Sequence, residues 1–398
     1  MGTADEGDDW LLAHADHLLG FAAGARTPAG FGWLNDTGEL DRVRGVQTWI
    51  TSRMTYVFAV ASRRGRPELS EPAEHGLRAL AGPLHDDRHG GWWGRADQTP
   101  TRKQAYEHAF VLLAAASARS AGLAGSADLL GEAMRVVEQR FWDDDAGAVR
   151  ESFAADWSDV EAYRGANANM HMVEAFLATA RVTGDRSWVD RAQRITRRIV
   201  HPAASTAADV LLPEHYDAHW RALPRYNEDD RADPFRPYGV TVGHLFEWTR
   251  LCAQVGVALG EDAPTWLASD AERLFASAVR LGWARDGHDG FVYTVGWDGA
   301  PVITERLHWV VAEAIGAARV LGLATGRDEY AARSRDWWAY ARMSFVDDVA
   351  GSWHHELDAS GGPASSIWQG KPDVYHALQA IWLSCSPLDS TLVSAAVS

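Results

Sequence analysis

A chain of 398 residues, 46% hydrophobic and carrying a formal charge of -16, has apolar mass for one large domain or two ordinary ones and no basic run suited to nucleic acid or an anionic membrane. No uninterrupted apolar stretch reaches the roughly 20 residues that span a bilayer, and the acidic start, Met1-Gly2-Thr3-Ala4-Asp5-Glu6-Gly7-Asp8-Asp9, lacks an apolar signal core. Two cysteines, Cys252 and Cys385, supply neither a disulfide framework nor a zinc motif, so the expectation is a cytoplasmic protein of a reducing compartment.

In chain order, the run Gln47 to Phe58 suits a core helix except for Arg53, which shares a helix face with Trp49. An Asp-rich turn follows, Asp86 to Trp93, with Gly90 and Gly91 at its centre. Tyr106 to Ser120 reads as a helix, and a second opens at Ser126 as N-cap and runs through Met134, Val137 and Phe141 to another turn, Asp143 to Val149. Glu151 to Val160 reads as a short β excursion. Helices are then expected over Ala168 to Thr183 and Ser187 to Val200, with a divergent turn near Leu211-Leu212-Pro213-Glu214. The polar, Pro-containing segment Trp220 to Pro237 reads as a long loop near a site. Helices follow over Gly243 to Leu259 and Pro264 to Leu281, then a turn at Asp286 to Tyr293 that leads into a hairpin bent at Asp298-Gly299. Thr304 to Leu323 and Asp328 to Ser344 make the next pair, Asp347 to Trp353 the next turn, and Lys371 to Ser384 the last helix, with Pro372 as its first residue.

The turn phrase recurs at intervals of 56 residues (Gly91 to Gly147) and 61 residues (Gly290 to Gly351), the mark of stacked supersecondary units. The first helix of each pair is apolar all round and the second carries more Arg, Asp and Glu, which predicts an inner and an outer ring. The expected fold is all-α: an (α/α)6 barrel of about twelve helices with short β-hairpins in the connecting loops, as one catalytic domain over 1–398. An open helical solenoid is the alternative.

The polar groups worth attention fall on the predicted inner helices. Arg53 needs a buried partner or a polyhydroxyl or anionic ligand. Asn167, His171 and Glu174 share one face. His244 and Glu247 lie one turn apart, where a carboxylate can orient an imidazole. The same pair is half of a dimetal pattern, but the matching half is missing because His308 and Glu313 are spaced differently. Trp309 and Glu313 share a face, and Lys371, Asp373 and His376 cluster at the start of the last helix, whose dipole lowers an imidazole pKa. Nineteen tryptophans, several beside turns and polar residues, suit either a sugar-stacking cleft or the packed centre of a toroid. No nucleophile arrangement, P-loop or dinucleotide motif is present. Two histidines can move a proton off one carbon and onto the next, the chemistry of enediol isomerisation. A glycosidase needs two facing carboxylates, for which Glu247 and Glu313 remain candidates.

Five phrases resemble the N-acylglucosamine 2-epimerase superfamily: Thr51 to Ala59, Asn167 to Ala175, Pro213-Glu214-His215-Tyr216-Asp217, Pro237 to Trp248 and Gly370-Lys371-Pro372-Asp373-Val374-Tyr375-His376-Ala377. The Arg-Met-Thr phrase and the Lys-Pro-Asp-Val-Tyr-His ending are similar to its aldose–ketose isomerase branch. The resemblance implies an (α/α)6 barrel that interconverts D-mannose and D-fructose, with a 2-epimerase, a sulfoquinovose isomerase and, behind them, a glycoside hydrolase as alternatives. It implies His244 and His376 as the acid/base pair. Arg53, Asn167, His171, Glu247, Trp309 and Glu313 would bind or polarise the sugar, and Tyr106 would face the pocket. It also implies a free monosaccharide as the partner, no metal, no cofactor, and a monomer or homodimer.

Overall fold

The computed structural model describes residues 6–99, 102–206 and 209–394; the acidic start at 1–5 lies outside them. Among the described residues there are twelve α-helices. The odd-numbered ones are α1 (Glu6–Ala23), α3 (Ser70–Leu80), α5 (Ser126–Val136), α7 (Ser187–Ala204), α9 (Trp266–Gly282) and α11 (Asp328–Ser344). The even-numbered ones are α2 (Thr48–Arg63), α4 (Ala105–Ser120), α6 (Ala166–Thr183), α8 (Val242–Leu259), α10 (His308–Thr325) and α12 (Tyr375–Ser384).

Packing separates the two sets. Helices α2, α4, α6, α8, α10 and α12 each touch the next, and α12 touches α2, so the even-numbered ring closes. Each odd-numbered helix lies outside its partner: α3 on α2, α5 on α4, α7 on α6, α9 on α8, α11 on α10 and α1 on α12. The closed ring excludes the open solenoid. Burial follows the sequence pattern. Helix α8 buries nearly every side chain, whereas α7 buries one stripe, Trp188, Val189, Ala192, Ile195, Thr196, Ile199 and Val200, and turns its arginines outward. No described helix is both long and apolar enough to cross a membrane.

The recurring turns close the outer helices. Gly91, Gly147, Gly290 and Gly351 all have positive φ (77°, 65°, 109° and 82°), which explains the glycine in each copy. Asp86 and Asp347 accept backbone N–H groups of their own turns, from Arg88 and His89 and from Val349 and Ala350. A buried cation then clamps the turn. Lys103 reaches Asp86 at 2.7 Å and the Gly90 carbonyl, and Lys371 repeats this with Asp347 and the Gly351 carbonyl. Arg306 holds Asp286 in the same way at 2.7 Å.

The hairpin at Asp298-Gly299 and the excursion near Glu151 form as expected: Thr294–Val295 pairs with Pro301–Ile303, and Phe153 bridges Val160. Helix α7 runs on to Ala204 and not to Val200, and three helix starts differ for an identifiable reason. Ser126 is the first helical residue and not the cap; Gly125 precedes it at φ 77°, and the Ser126 hydroxyl donates to the Leu123 carbonyl. Helix α10 begins at His308 and not Thr304, because Arg306–Leu307 is a strand paired with Glu356–Leu357. Helix α12 begins at Tyr375 and not at Pro372. Residues 371–374 form no regular structure and start beside the strand Gly30–Leu34, with the Lys371 N–H donating to the Leu34 carbonyl at 2.8 Å. That strand belongs to a three-stranded N-terminal sheet, Arg26–Thr27, Gly30–Leu34 and Leu40–Val46, which the sequence pattern did not announce.

Candidate active site

The even-numbered helices α2, α4, α6, α8 and α10 are each entered from an extended residue, Gln47, Gln104, Gly165, Thr241 and Leu307. Their N-terminal ends gather at one end of the ring around a cavity of about 70 Å³. Arg53, Tyr106, Asn167, His171, His244, Glu247, Trp309 and His376 all line it, each from the first two turns of its helix. Glu313 does not; it lies behind His376.

Each of the two expected acid/base histidines is held from the back. The Nδ1 of His244 lies 2.9 Å from Glu214 Oε2, and the Nδ1 of His376 lies 2.9 Å from Glu313 Oε1. A carboxylate only accepts, so each Nδ1 carries the proton and each Nε2 is left to the chamber as an acceptor. Both rings pack on Trp309, with centroids 5.2 Å away for His244 and 5.8 Å for His376. The carboxylate that orients His244 is therefore Glu214 and not Glu247. Burial pushes the His376 pKa well below the ordinary value, with the nearby Arg53 second.

Arg53 is 6% exposed, with NH1 at 3.0 Å from Asp373 and NH2 at 3.1 Å from the Tyr106 hydroxyl. Burial works against its charge, but Tyr106, Asp373 and Tyr375 outweigh it and the guanidinium stays protonated. Its Nε has no hydrogen-bond partner among the described residues. Burial lifts the Tyr106 phenol to about 12, so it remains a neutral donor. His171 is held well below its ordinary pKa by burial and by Arg53. Lys371, expected near Asp373 and His376, instead clamps the Asp347 turn.

Beneath the chamber, Glu174, Glu247 and Glu313 surround the buried Arg250 at 3.6, 3.3 and 3.0 Å. Burial, then Glu313, pushes Glu247 well above the ordinary carboxyl range. Glu174 turns away from the chamber to accept from the Tyr375 hydroxyl and the Gln379 amide. His171, Glu174 and Glu247 bring one potential metal-ligand atom each within 4.8 Å of one another. Arg250 already supplies the counter-charge to both carboxylates, which marks the group as an ion-pair cluster.

Sequence reasoning missed several contributors. Glu214 sat inside a quoted phrase without a role, and Asp373 was noted only as a neighbour of Lys371 and His376 and not as the partner of Arg53. Phe235 and Pro234, from the loop 220–237, reach over the chamber, as that loop's composition hinted. His355 lines it from a segment with no local signal at all. A second cavity of about 510 Å³ adjoins across Tyr106, Asn167 and Phe235 and holds two buried carboxyl groups, Glu107 and Glu151.

The sequence profile of the N-acylglucosamine 2-epimerase (GlcNAc 2-epimerase) family matches residues 29–380. The chain belongs to this family. Among its relatives, it is 53% identical to a D-mannose isomerase of Thermobifida fusca over 97% of this chain and 96% of that one. It is 47% identical to a D-mannose isomerase of Pseudomonas cannabina pv. alisalensis over 97% and 94%. A solved D-mannose isomerase superposes with a TM-score of 0.87 at 26% identity, covering 96% of this epimerase-family chain and 99% of the other.

Proposed function

We propose that this protein is a D-mannose isomerase, an aldose–ketose isomerase that interconverts D-mannose and D-fructose through an enediolate. The observation that carries this reading is the pair of imidazoles, His244 and His376, each backed by a carboxylate and both packed on Trp309 in one chamber. The relatives named D-mannose isomerase supply the choice of sugar.

In the open-chain aldose, His244 Nε2 takes the proton from C2. The electron pair moves into a C1–C2 double bond and charge gathers on O1. Arg53, fixed by Asp373 and Tyr106, is a permanent cation for that oxygen, and such a preorganised charge contributes a few kcal/mol, roughly 3. His376 Nε2 accepts the O2 proton and passes it to O1. A depressed pKa suits this relay, because the imidazole does not retain the proton. His244 then delivers its proton to C1, and the product carries its carbonyl at C2. His171 and Asn167 supply hydrogen bonds to the sugar oxygens, and Trp309 offers an apolar face to the sugar carbons. Glu313 acts through His376.

The test is incubation with D-mannose and with D-glucose, followed by chromatography of the products. Fructose formation from mannose supports the reading. Formation of the C2 epimer without ketose identifies a 2-epimerase, and no turnover of any free aldose overturns the assignment.

A further inference from the structure

His308 and His355 line the chamber but have no part in the proton transfers above. Their meeting is dictated by backbone register. Arg306 pairs with Leu357 and Leu307 with Glu356, so the next step of the antiparallel ladder sets His308 opposite His355. The His308 amide donates to the His355 carbonyl at 3.1 Å. The rings stack with centroids 3.7 Å apart and planes 23° from parallel. The His308 ring stands 6.3 Å from that of His376, so the pair borders the acid/base site.

Both side chains are buried, 6% and 4% exposed, yet their polar atoms are not used up. The Nδ1 of His308 lies 3.4 Å from the His355 carbonyl, an acceptor, which places the proton on Nδ1. Its Nε2 has no hydrogen-bond partner among the described residues, and the ring nitrogens of His355 have none of good geometry there, only a marginal approach to the Asp373 backbone. Buried polar atoms are costly to leave unpaired, and a bound ligand is one way to satisfy them.

We propose that His308 and His355 are a hydroxyl-recognition pair, which hydrogen-bonds the sugar hydroxyls beyond C2 and sets the preference for an uncharged, unmodified aldose. The inference rests on the isomerase reading for the identity of the sugar, but not for the existence of the site. A neutral imidazole presents one donor and one acceptor, which matches a hydroxyl. A phosphate or sulfonate brings only acceptors, and would face the bare Nε2 of His308 lone pair to lone pair. Burial holds both rings neutral: it takes His308 down to about 4, and with His308 beside it takes His355 well below the ordinary value. The backbone of Asp373 opposes the second shift as the smallest of its causes.

The experiment compares wild type with His355→Phe and His308→Phe, which keep an aromatic ring in the stack and remove the nitrogens. Steady-state kinetics are run on D-mannose and on its 4-deoxy and 6-deoxy analogues. In wild type, at least one deoxy analogue should lose on the order of 10- to 100-fold in kcat/KM, the loss expected when a buried partner is left unpaired. In the variants KM for mannose should rise by a similar factor, with kcat changed less, and the penalty for that analogue should disappear. Calorimetric binding of the hexitol D-mannitol to the same proteins needs no turnover and should weaken in both variants. If wild type binds mannitol but turns over no aldose, the isomerase reading fails and the binding comparison still decides the pair. Unchanged KM, unchanged mannitol affinity and an unchanged deoxy penalty in folded variants would overturn the proposal. So would a wild type indifferent to every deoxy substitution.

Discussion

Arg53 and Asp373 lie 320 residues apart in the chain and meet in a 3.0 Å ion pair at the seam where α12 closes against α2. The pair joins the start of the ring to its end and fixes the one permanent cation among the chamber residues expected from sequence. Both partners are buried, with side chains 7% and 4% exposed. Removing one partner of such a pair leaves a buried charge uncompensated, at about 3–5 kcal/mol. Asp373→Asn should therefore lower unfolding stability by that amount in chemical denaturation and depress kcat as Arg53 drifts. A variant as stable as wild type would show that water or Tyr106 already satisfies the guanidinium.

Glu214 makes a sharper test of the acid/base assignment, because it touches His244 without lining the chamber. Glu214→Gln removes the charge and lets an amide N–H face Nδ1, which turns Nε2 from acceptor to donor. The expected loss is in kcat, on the order of 10²- to 10⁴-fold, with KM little changed. A loss confined to KM would place His244 in binding and not in chemistry.

Gly243 lies against the indole of Trp309, and a Cβ there would run into the ring. Gly243→Ala should displace Trp309 from between the two histidines. The expected cost is about 1–3 kcal/mol in stability from overpacking and a fall in kcat/KM. Wild-type kinetics in this variant would mean that the position of Trp309 does not matter.

Stability should depend on pH in two opposed ways. His108 and His308 are held down to about 3 and about 4 by burial. Their contribution is full above the ordinary value of 6.5 and is lost as pH falls toward those values, because the unfolded chain takes up protons first. Glu107 and Glu151 are raised by burial to about 8 and about 7. Their contribution is full below 4.5 and is lost as pH rises through the raised values. Between 4.5 and 6.5 the two pairs offset each other. The melting temperature should decline toward low pH, where the lowered His171, His355 and His376 add to the first pair, and again above about 7, and Glu107→Gln should flatten the alkaline flank. An alkaline flank identical in that variant would contradict the assignment.

What was legible in the sequence was whatever repeats or has a period. The Asp-Gly turns announced the unit length, and the contrast between α8 and α7 announced the two rings. The residues on the even-numbered helices were found because a polar side chain in an otherwise apolar helix stands out. What could not be read was pairing across the ring. Nothing near Glu214 says that it backs His244, since Glu247 is nearer along the chain and equally suited by spacing. Nothing near His355 says that it stacks on His308, because that depends on the register of a two-residue strand. The start of α12 was misplaced for a similar reason. Pro372 is a good first helical residue, but the tertiary bond from Lys371 to Leu34 ties the chain just before it to the N-terminal sheet.

The most direct test of the central claim follows the C2 proton. D-mannose is incubated in deuterated water with wild type, with His244→Asn and with His376→Asn, and exchange at C2 and C1 is followed by NMR alongside ketose formation. The account predicts that wild type forms fructose with proton transfer between C2 and C1 and partial solvent exchange. Folded His244→Asn should lose exchange and turnover together, and His376→Asn should lose turnover. Exchange or fructose formation at the wild-type rate in His244→Asn would contradict it.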